Sequence, residues 1–537
     1  MESRYDRRFV TVSNGEIVDG HGAPLLLRGV GLGNWLLPEG YMWHLSPGRE
    51  SAREIEDLFE ELVGSTRAQL FWDRFRDTFI TRSDVDAIAA EGFDHVRLPI
   101  NWRVILDPDG CPLEAGLALI DRLIDWCADA GLWVLLDLHG APGGQTGTNV
   151  DDSNGRPELF MNPDNKDLAI ALWRMLAERY RDDTTVLGYD LLNEPLPNEW
   201  QTTYPEDLVD LYQRMTAAIR EVDQNHLIMY EGTHWASNWD IFTEVWDPNS
   251  VLQFHRYWSP PDRSGIQRYV NIGVRLGLPI YMGEGGENNV EWLATAFQLY
   301  EDHAIGWNFW PWKKIDTITS PCSIDPPPGW SAITAYAKGE AKAPGAEESW
   351  ATLEDLIDRM AFDSCTYRAD VVNALFRRAP LSLGATGFGF KGQGVSYGTQ
   401  SAEPLRAFRC DDSVTIEQAI LSRREEPNFE HTDGRPRGQG EQLVVLLNRG
   451  EWVTYDIEAV RGTAWSISVT TTDGSGRSPI VSLDDRDLVD GVSDGSRFTV
   501  EAEDVKAGRH SVRITSPVDG LRLTTIDVRT PELSGNP

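Results

Sequence analysis

The chain has 537 residues, 41% of them apolar and 20 of them tryptophan, enough to fill more than one large core. Its 49 lysines and arginines stand against 84 acidic residues; a formal charge of −35 repels a phosphate backbone, which argues against nucleic acid as a partner. No run is long and apolar enough to span a membrane, and the opening MESRYDRRFVTVSNGEIVDG lacks the apolar stretch of a signal peptide, so a cytoplasmic chain without membrane contact is expected.

From residue 24 to 312, eight short apolar runs follow one another: PLLLRGVGLG (24–33), FDHVRLPI (93–100), LWVLLDLHG (132–140), VLGYDLLNEP (186–195), LIMYEG (227–232), VLQFHRYW (251–258), PIYMGEGG (279–286) and AIGWNFWPW (304–312). Between them lie stretches of helical period such as LALIDRLIDWCADAG, whose closing Gly131 is a natural C-cap. Strands buried on both faces, each followed by a helix, imply a parallel sheet, and eight such units in about 250 to 300 residues predict a (β/α)8 TIM barrel of the α/β class. An open doubly wound sheet is the alternative. GVGLGN (29–34) resembles its phosphate turn but lacks the last glycine and runs into WLLPEGYMW instead of a helix.

After residue 338 the composition changes. KGEAKAPGAEES reads as an exposed connection, WATLEDLIDRMAF and YRADVVNALFRRA as helices, and the stretches beyond about 405 as strands and turns alone. The expected organisation is a barrel over 1–345, a helical connection packing on it over 346–385, and an antiparallel β-sandwich over 386–537. The five cysteines (Cys111, Cys127, Cys322, Cys365 and Cys410) are odd in number and widely spaced, which fits reduced thiols better than a disulfide framework or a zinc knuckle.

In such a barrel the working groups sit where strands end, at the C-terminal face. The polar and aromatic residues at those ends are Arg97, His139, Asn193 with Glu194, His255 with Tyr257, Glu284, and the trio Trp307, Trp310 and Trp312. Glu194 and Glu284 lie 90 residues apart, close to three units of roughly 31 residues, which sets them across the mouth from each other. Paired carboxylates suit glycosidic bond cleavage, one donating a proton to the leaving oxygen and the other attacking or activating water. HExxH and EF-hand patterns are absent, so neither a metal nor another cofactor is expected.

The ordered set VRLPINW (96–102), DLHGAPGGQTG (137–147), LLNEPLP (191–197), FHRYW (254–258), GEGG (283–286) and GWNFWPWKK (306–314) resembles family 5 of the glycoside hydrolases, the retaining two-glutamate barrels. LRGVGLGNWLLPEG and DLHGAPGGQTG are most similar to its exo-β-1,3-glucanase and β-glucosidase branch. The resemblance spans about residues 9 to 340. It implies that Glu194 is the acid/base and Glu284 the nucleophile, with Arg97 and Tyr257 near Glu284 favouring its ionised form. It further implies that Asn193 bonds the sugar 2-hydroxyl, that His139 and His255 orient sugar and acid, that Trp310 floors the −1 subsite, and that the Trp310–Pro311 bond is cis.

Exo-acting members close the cleft with acids that grip the terminal glucose, and Glu39 and Asp152, or its neighbour Asp151, are the matching positions. The resemblance thus implies a retaining exo-β-glucosidase acting on β-linked oligosaccharides or small glycosides. An endo-β-glucanase, and a disaccharide-releasing diglycosidase or transglycosylase, are alternatives on the same machinery. A non-catalytic sugar-binding protein is disfavoured by intact Asn193, Glu194, Tyr257 and Glu284. NRGEWVTYDIEAVRG and VKAGRHSVRITSPVDGLRLTTIDVR resemble family 6 carbohydrate-binding modules, where Trp452 and Tyr455 are either a sugar platform or core.

Overall fold

The computed structural model describes residues 8–148, 150–400, 408–420, 427–429, 434–438, 441–472 and 478–531; the start of the segment read for a leader, residues 1–7, lies outside them. The chain divides into two compact units, one of residues 1–256, 269–286 and 306–367, the other of 257–268, 287–305 and 368–537.

The first unit holds a closed barrel of eight parallel strands in chain order: Arg28–Gly31 (β1), His95–Asn101 (β2), Trp133–Gly140 (β3), Val186–Asp190 (β4), Leu227–Glu231 (β5), Ser250–His255 (β6), Ile280–Gly286 (β7) and Gly306–Trp310 (β8), which closes on β1. All eight expected strands form, and the fold is the predicted TIM barrel. Helix Glu114–Ala130 ends at Gly131, whose φ of 82° is the left-handed cap that glycine adopts without a Cβ penalty. The strands are shorter than the apolar runs. β4 stops at Asp190, so Asn193 and Glu194 stand in the loop beyond it and not on the strand.

Side chains along these strands change character from one barrel end to the other. A short hairpin, Thr11–Ser13 with Glu16–Val18, brings Val10 and Ile17 into an apolar cluster with Leu27, Leu135, Leu187, Leu227, Met229, Val251 and Tyr281, which plugs the end where the strands begin. Two residues on from Leu135 stands Asp137, and two more reach His139; β6 runs Val251, Gln253, His255, and β5 runs Leu227, Met229, Glu231, all buried. With a period of two, the inward row of each strand passes from hydrocarbon to ionisable groups within about 13 Å.

The second unit contains two antiparallel sheets, consistent with the expected sandwich. One runs Thr415–Gln418, Leu443–Leu447, Leu521–Arg529, Thr463–Thr471, Arg497–Val505, Val492–Asp494, with Leu381–Gly384 also paired to Leu521–Arg529. The other runs Tyr397–Gly398, Trp452–Ala459, Gly508–Thr515, Ile480–Leu483, Arg486–Asp487. Tyr455 is buried and its hydroxyl donates to Ala385 O at 2.6 Å. Trp452 lies under the Arg513 guanidinium, 4.4 Å from its ring centroid. Tyr455 is therefore core, whereas Trp452 stays partly exposed beneath Arg513.

Gly29 on β1 is required by its neighbour: a Cβ there would fall 2.1 Å from His95 Nε2, on a ring locked by Tyr281 Oη at 2.8 Å. Gly29→Ala is expected to cost about 1–3 kcal/mol of stability, read as a lower urea midpoint, with much of it recovered in Gly29→Ala/His95→Ala.

Candidate active site

The site is organised by Arg97, fully buried on β2. Its Nη1 donates to Glu284 Oε2 at 2.7 Å, Nε to Asp190 Oδ2 at 2.9 Å, and Nη2 to Asn193 Oδ1 at 2.8 Å and Glu231 Oε1 at 3.2 Å. Asp137 Oδ2 lies 3.2 Å from the same Nη2. One guanidinium thus faces four carboxylates from β3, β4, β5 and β7.

Beside it, His255 at the end of β6 donates through Nδ1 to Glu194 Oε1 at 2.8 Å, and the same nitrogen is 4.0 Å from Glu284 Oε2. One ligand atom each of Glu194, His255 and Glu284 falls within 4.8 Å of the others, so the two carboxyl groups face each other at short range. Among the described residues this is the one trio with metal-ligand spacing. Its imidazole gives Nδ1 to Glu194 and turns Nε2 toward Glu231 Oε1 at 3.2 Å.

His139 is the neutral partner on the opposite wall. Its Nδ1 donates to Asp137 Oδ2 at 2.7 Å, so Nε2 accepts from Asn193 Nδ2 at 3.2 Å, a tautomer assigned from these bonds. Its ring stacks on Trp310, centroids 5.4 Å apart and planes 7° from parallel. Trp310 donates through Nε1 to Tyr41 Oη at 2.9 Å, and its indole lies where a Cβ on Gly31 or Gly33 would reach within 2.5 Å. The Trp310–Pro311 bond is cis, as expected. Glu39 Oε1 approaches His139 Nε2 at 3.8 Å, so this acid does reach the group.

Asp152 does not share that position. Its carboxylate is taken by Arg103, bonded through Nε and Nη2 (2.9 Å for the latter), and by Arg53 at 3.1 Å. Asp151 is equally committed, accepting from Gln145 N and Thr146 N at 2.7 Å and from Ser153 N at 2.9 Å. That loop serves the site indirectly, because Gln145 Nε2 donates to His139 O and Asn193 O. Tyr257 belongs to the second unit, where its ring lies beside Trp258. Trp307 packs on Phe93, and Trp312 donates to Asp84 Oδ1 at 3.0 Å; both are core.

Asp137, Asp190, Glu231, Gln253 and Tyr41 are absent from the strand-end reading. Glu231 was findable, since it closes LIMYEG as Glu284 closes its own run. Burial pushes Asp137 up to about 7 and Glu231 up to about 8, against the pull of the nearby cations Arg97 and His255. Glu284 is also raised, because burial outweighs His255 and Arg97; the expectation that Arg97 would keep it readily ionised weighed the cation and not the desolvation. Burial holds His139 down at about 3. His255 goes the other way: burial opposes its charge, but Glu231 and Glu284 hold it well above the ordinary imidazole range.

A closed barrel carrying two facing carboxyl groups at its C-terminal mouth, with an aromatic floor and neutral imidazole beside them, defines the class: a glycoside hydrolase. The family model for cellulase (glycosyl hydrolase family 5) matches residues 58–316. The chain is 34% identical over 347 residues to a beta-xylosidase of Phanerodontia chrysosporium, covering 57% of this chain and 71% of that one. It is 31% identical over 273 residues to a probable glucan 1,3-beta-glucosidase A of Aspergillus fumigatus (48% and 64%) and 28% over 315 residues to endoglucanase C of Acetivibrio thermocellus (46% and 88%). A solved endogalactoceramidase structure aligns over 95% of this chain and 99% of its own at 18% identity and a TM-score of 0.49. The chain belongs to glycoside hydrolase family 5.

Asp137 carries a stability consequence. With its folded value near 7 and an ordinary carboxylate value unfolded, the folded chain keeps a proton that the unfolded chain releases, so its contribution falls as pH rises through that interval. Asp137→Asn is expected to flatten the decline of unfolding free energy between pH 5 and 7 by on the order of 1–3 kcal/mol, measured by urea titration at each pH.

Proposed function

We propose that this hydrolase is a retaining, exo-acting β-glucosidase that releases glucose from β-linked oligosaccharides or small glycosides by double displacement. The carrying observation is the short range between Glu194 and Glu284, whose nearest oxygens lie within 4.8 Å. Retaining enzymes hold their carboxyl groups about 5–5.5 Å apart, whereas inverting ones leave room for a water at about 6.5–9.5 Å. Glu284, aligned by Arg97, attacks the anomeric carbon and forms a glycosyl ester while Glu194 protonates the leaving oxygen; Glu194 then takes a proton from the water that releases the sugar. Asn193, fixed by Arg97 and His139, is placed to bond the 2-hydroxyl, and Trp310 to lie under the ring.

For exo action the support is Glu39 beside His139 together with the glucan 1,3-beta-glucosidase relatives. The commitment of Asp152 to Arg103 removes one of the two acids expected to close the cleft, and this favours the endo alternative carried by the endoglucanase relatives. Product analysis separates them: exo action on a β-1,3- or β-1,4-glucohexaose gives glucose as the first product, endo action a mixture of shorter oligosaccharides.

Glu284→Gly is expected to lose at least about a thousandfold in kcat and to regain turnover with azide, giving the α-glucosyl azide; Glu194→Ala with azide gives the β-glucosyl azide from an activated aryl glucoside. A swap of the two anomers would reverse the assignment. Because burial raises Glu284 and the nucleophile works as the anion, kcat/KM is expected to fall with decreasing pH along a limb that lies above the ordinary glutamate value of about 4.3.

A further inference from the structure

Glu231 has no part in the double displacement just described, yet it is fully buried at the end of β5 and touches two components of the acid/base. Its Oε2 accepts from the backbone N–H of Glu194 at 2.6 Å. Its Oε1 accepts from Gln253 Nε2 at 2.7 Å and Arg97 Nη2 at 3.2 Å, and lies 3.2 Å from His255 Nε2. The His255 ring thus lies between two glutamates, hydrogen-bonded to Glu194 through Nδ1 and with Nε2 3.2 Å from Glu231 Oε1.

The backbone adds a second observation. Glu194 has a φ of 46°, left-handed space that a non-glycine residue occupies at a cost of about 1–3 kcal/mol and keeps only where its surroundings hold it. The bond from its N–H to Glu231 is such a restraint. Gln253, which steadies Glu231, needs the absence of a side chain at Gly283, where a Cβ would meet Gln253 Oε1 at 1.8 Å.

We propose that Glu231 is a positioning residue for the acid/base: it clamps the Glu194 backbone in its strained turn and holds His255 as an imidazolium whose Nδ1–H points at the Glu194 carboxyl. This rests on Glu194 being the acid/base of a β-glucosidase. Burial raises Glu231, but the proton that this demands is shared with His255, and the three donors that converge on the carboxylate (Glu194 N–H, Gln253 and Arg97) leave it on the imidazole. The other charged or titratable groups around His255 are Glu284, Asp137, Arg97 and neutral His139. An imidazolium beside Glu194 hydrogen-bonds the carboxylate left after proton donation and so steadies it.

Glu231→Gln keeps shape and acceptor but removes the charge that holds the imidazolium. With phenyl β-glucoside, whose leaving group needs the acid, kcat/KM is expected to fall about tenfold or more, and its alkaline limb to move to higher pH by about half a unit or more, because Glu194 loses its cationic partner. With 2,4-dinitrophenyl β-glucoside, which departs unaided, the change stays within about threefold. Equal losses on both substrates with an unmoved limb, or no change on either, would overturn the proposal. Histidine side-chain 15N spectra of the wild-type chain at neutral pH provide a test without that variant: the resonance lost in His255→Gln must be that of an imidazolium, and a neutral imidazole there sinks the idea. If the wild type cleaves neither glucoside, the β-glucosidase reading fails, while the 15N spectrum still judges the pairing.

Discussion

Everything at the barrel mouth depends on one buried cation meeting too many acids. Arg97 can neutralise one charge, but Asp137, Asp190, Glu231 and Glu284 all approach it from four strands. A desolvated interior does not tolerate the remaining anions, so protons make up the difference, and burial drives all four carboxyls above their ordinary values. In the proposed reaction Glu284 must be ionised before it attacks, so this burial places the nucleophile's ionisation above the ordinary glutamate range. The arrangement is costly to break, because removing one partner of a buried cluster leaves uncompensated charge, typically about 3–5 kcal/mol.

The hub exists because of the barrel's alternation. Each inward row starts in hydrocarbon, at Leu135, Val251 or Leu227, and ends two or four residues later in Asp137 and His139, Gln253 and His255, or Glu231. The apolar cluster plugged by Val10 and Ile17 supplies the cohesion, and the polar layer is carried on top of it. Glycines make the crowding possible: Gly29 yields space to His95, Gly283 to Gln253, and Gly31 and Gly33 to Trp310.

Much of this was legible in the amino-acid order, for a physical reason. Eight apolar runs with helical stretches between them leave few packings open, and polar residues closing such runs fall at one end of a parallel barrel. What was not legible depends on parity and on distant partners. In strands buried on both faces the sequence does not mark which alternate residues point inward, and register shifts, between Val134 and Leu135 against β4 and between Phe254 and His255 against β7, break the count. Asp137 and Asp190 therefore read as ordinary strand polar residues. Asp151 and Asp152 look interchangeable, but one caps its own loop and the other pairs with Arg103 and Arg53, far away in sequence. Glu231 closes LIMYEG as the strand-end rule requires, but nothing in the sequence shows that it faces the Glu194 backbone and His255, which belong to other β/α units.

The loop after β4 explains why such a carboxylate is needed. The strand ends at Asp190, so Glu194 reaches the mouth on four further residues and not on the sheet ladder. Asn193 N–H bonds Leu138 O on β3, Glu194 N–H bonds the Glu231 side chain, and Leu196 N–H bonds Gln145 O. Left-handed backbone recurs at Glu194, Leu196 and Asn198, and opposite them at His234, Trp235 and Ala236, where His234 N–H bonds Leu196 O and its Nδ1 accepts from Asn198 N–H. Such backbone is stable only when several restraints agree. Three of those restraints are backbone groups, which substitution leaves in place; those at Glu194 and Asn198 are side chains. A fold that suspends its proton donor on a strained loop, and fixes that loop through a group that also faces the donor's imidazole, links the position of the acid to its charge environment through a single residue.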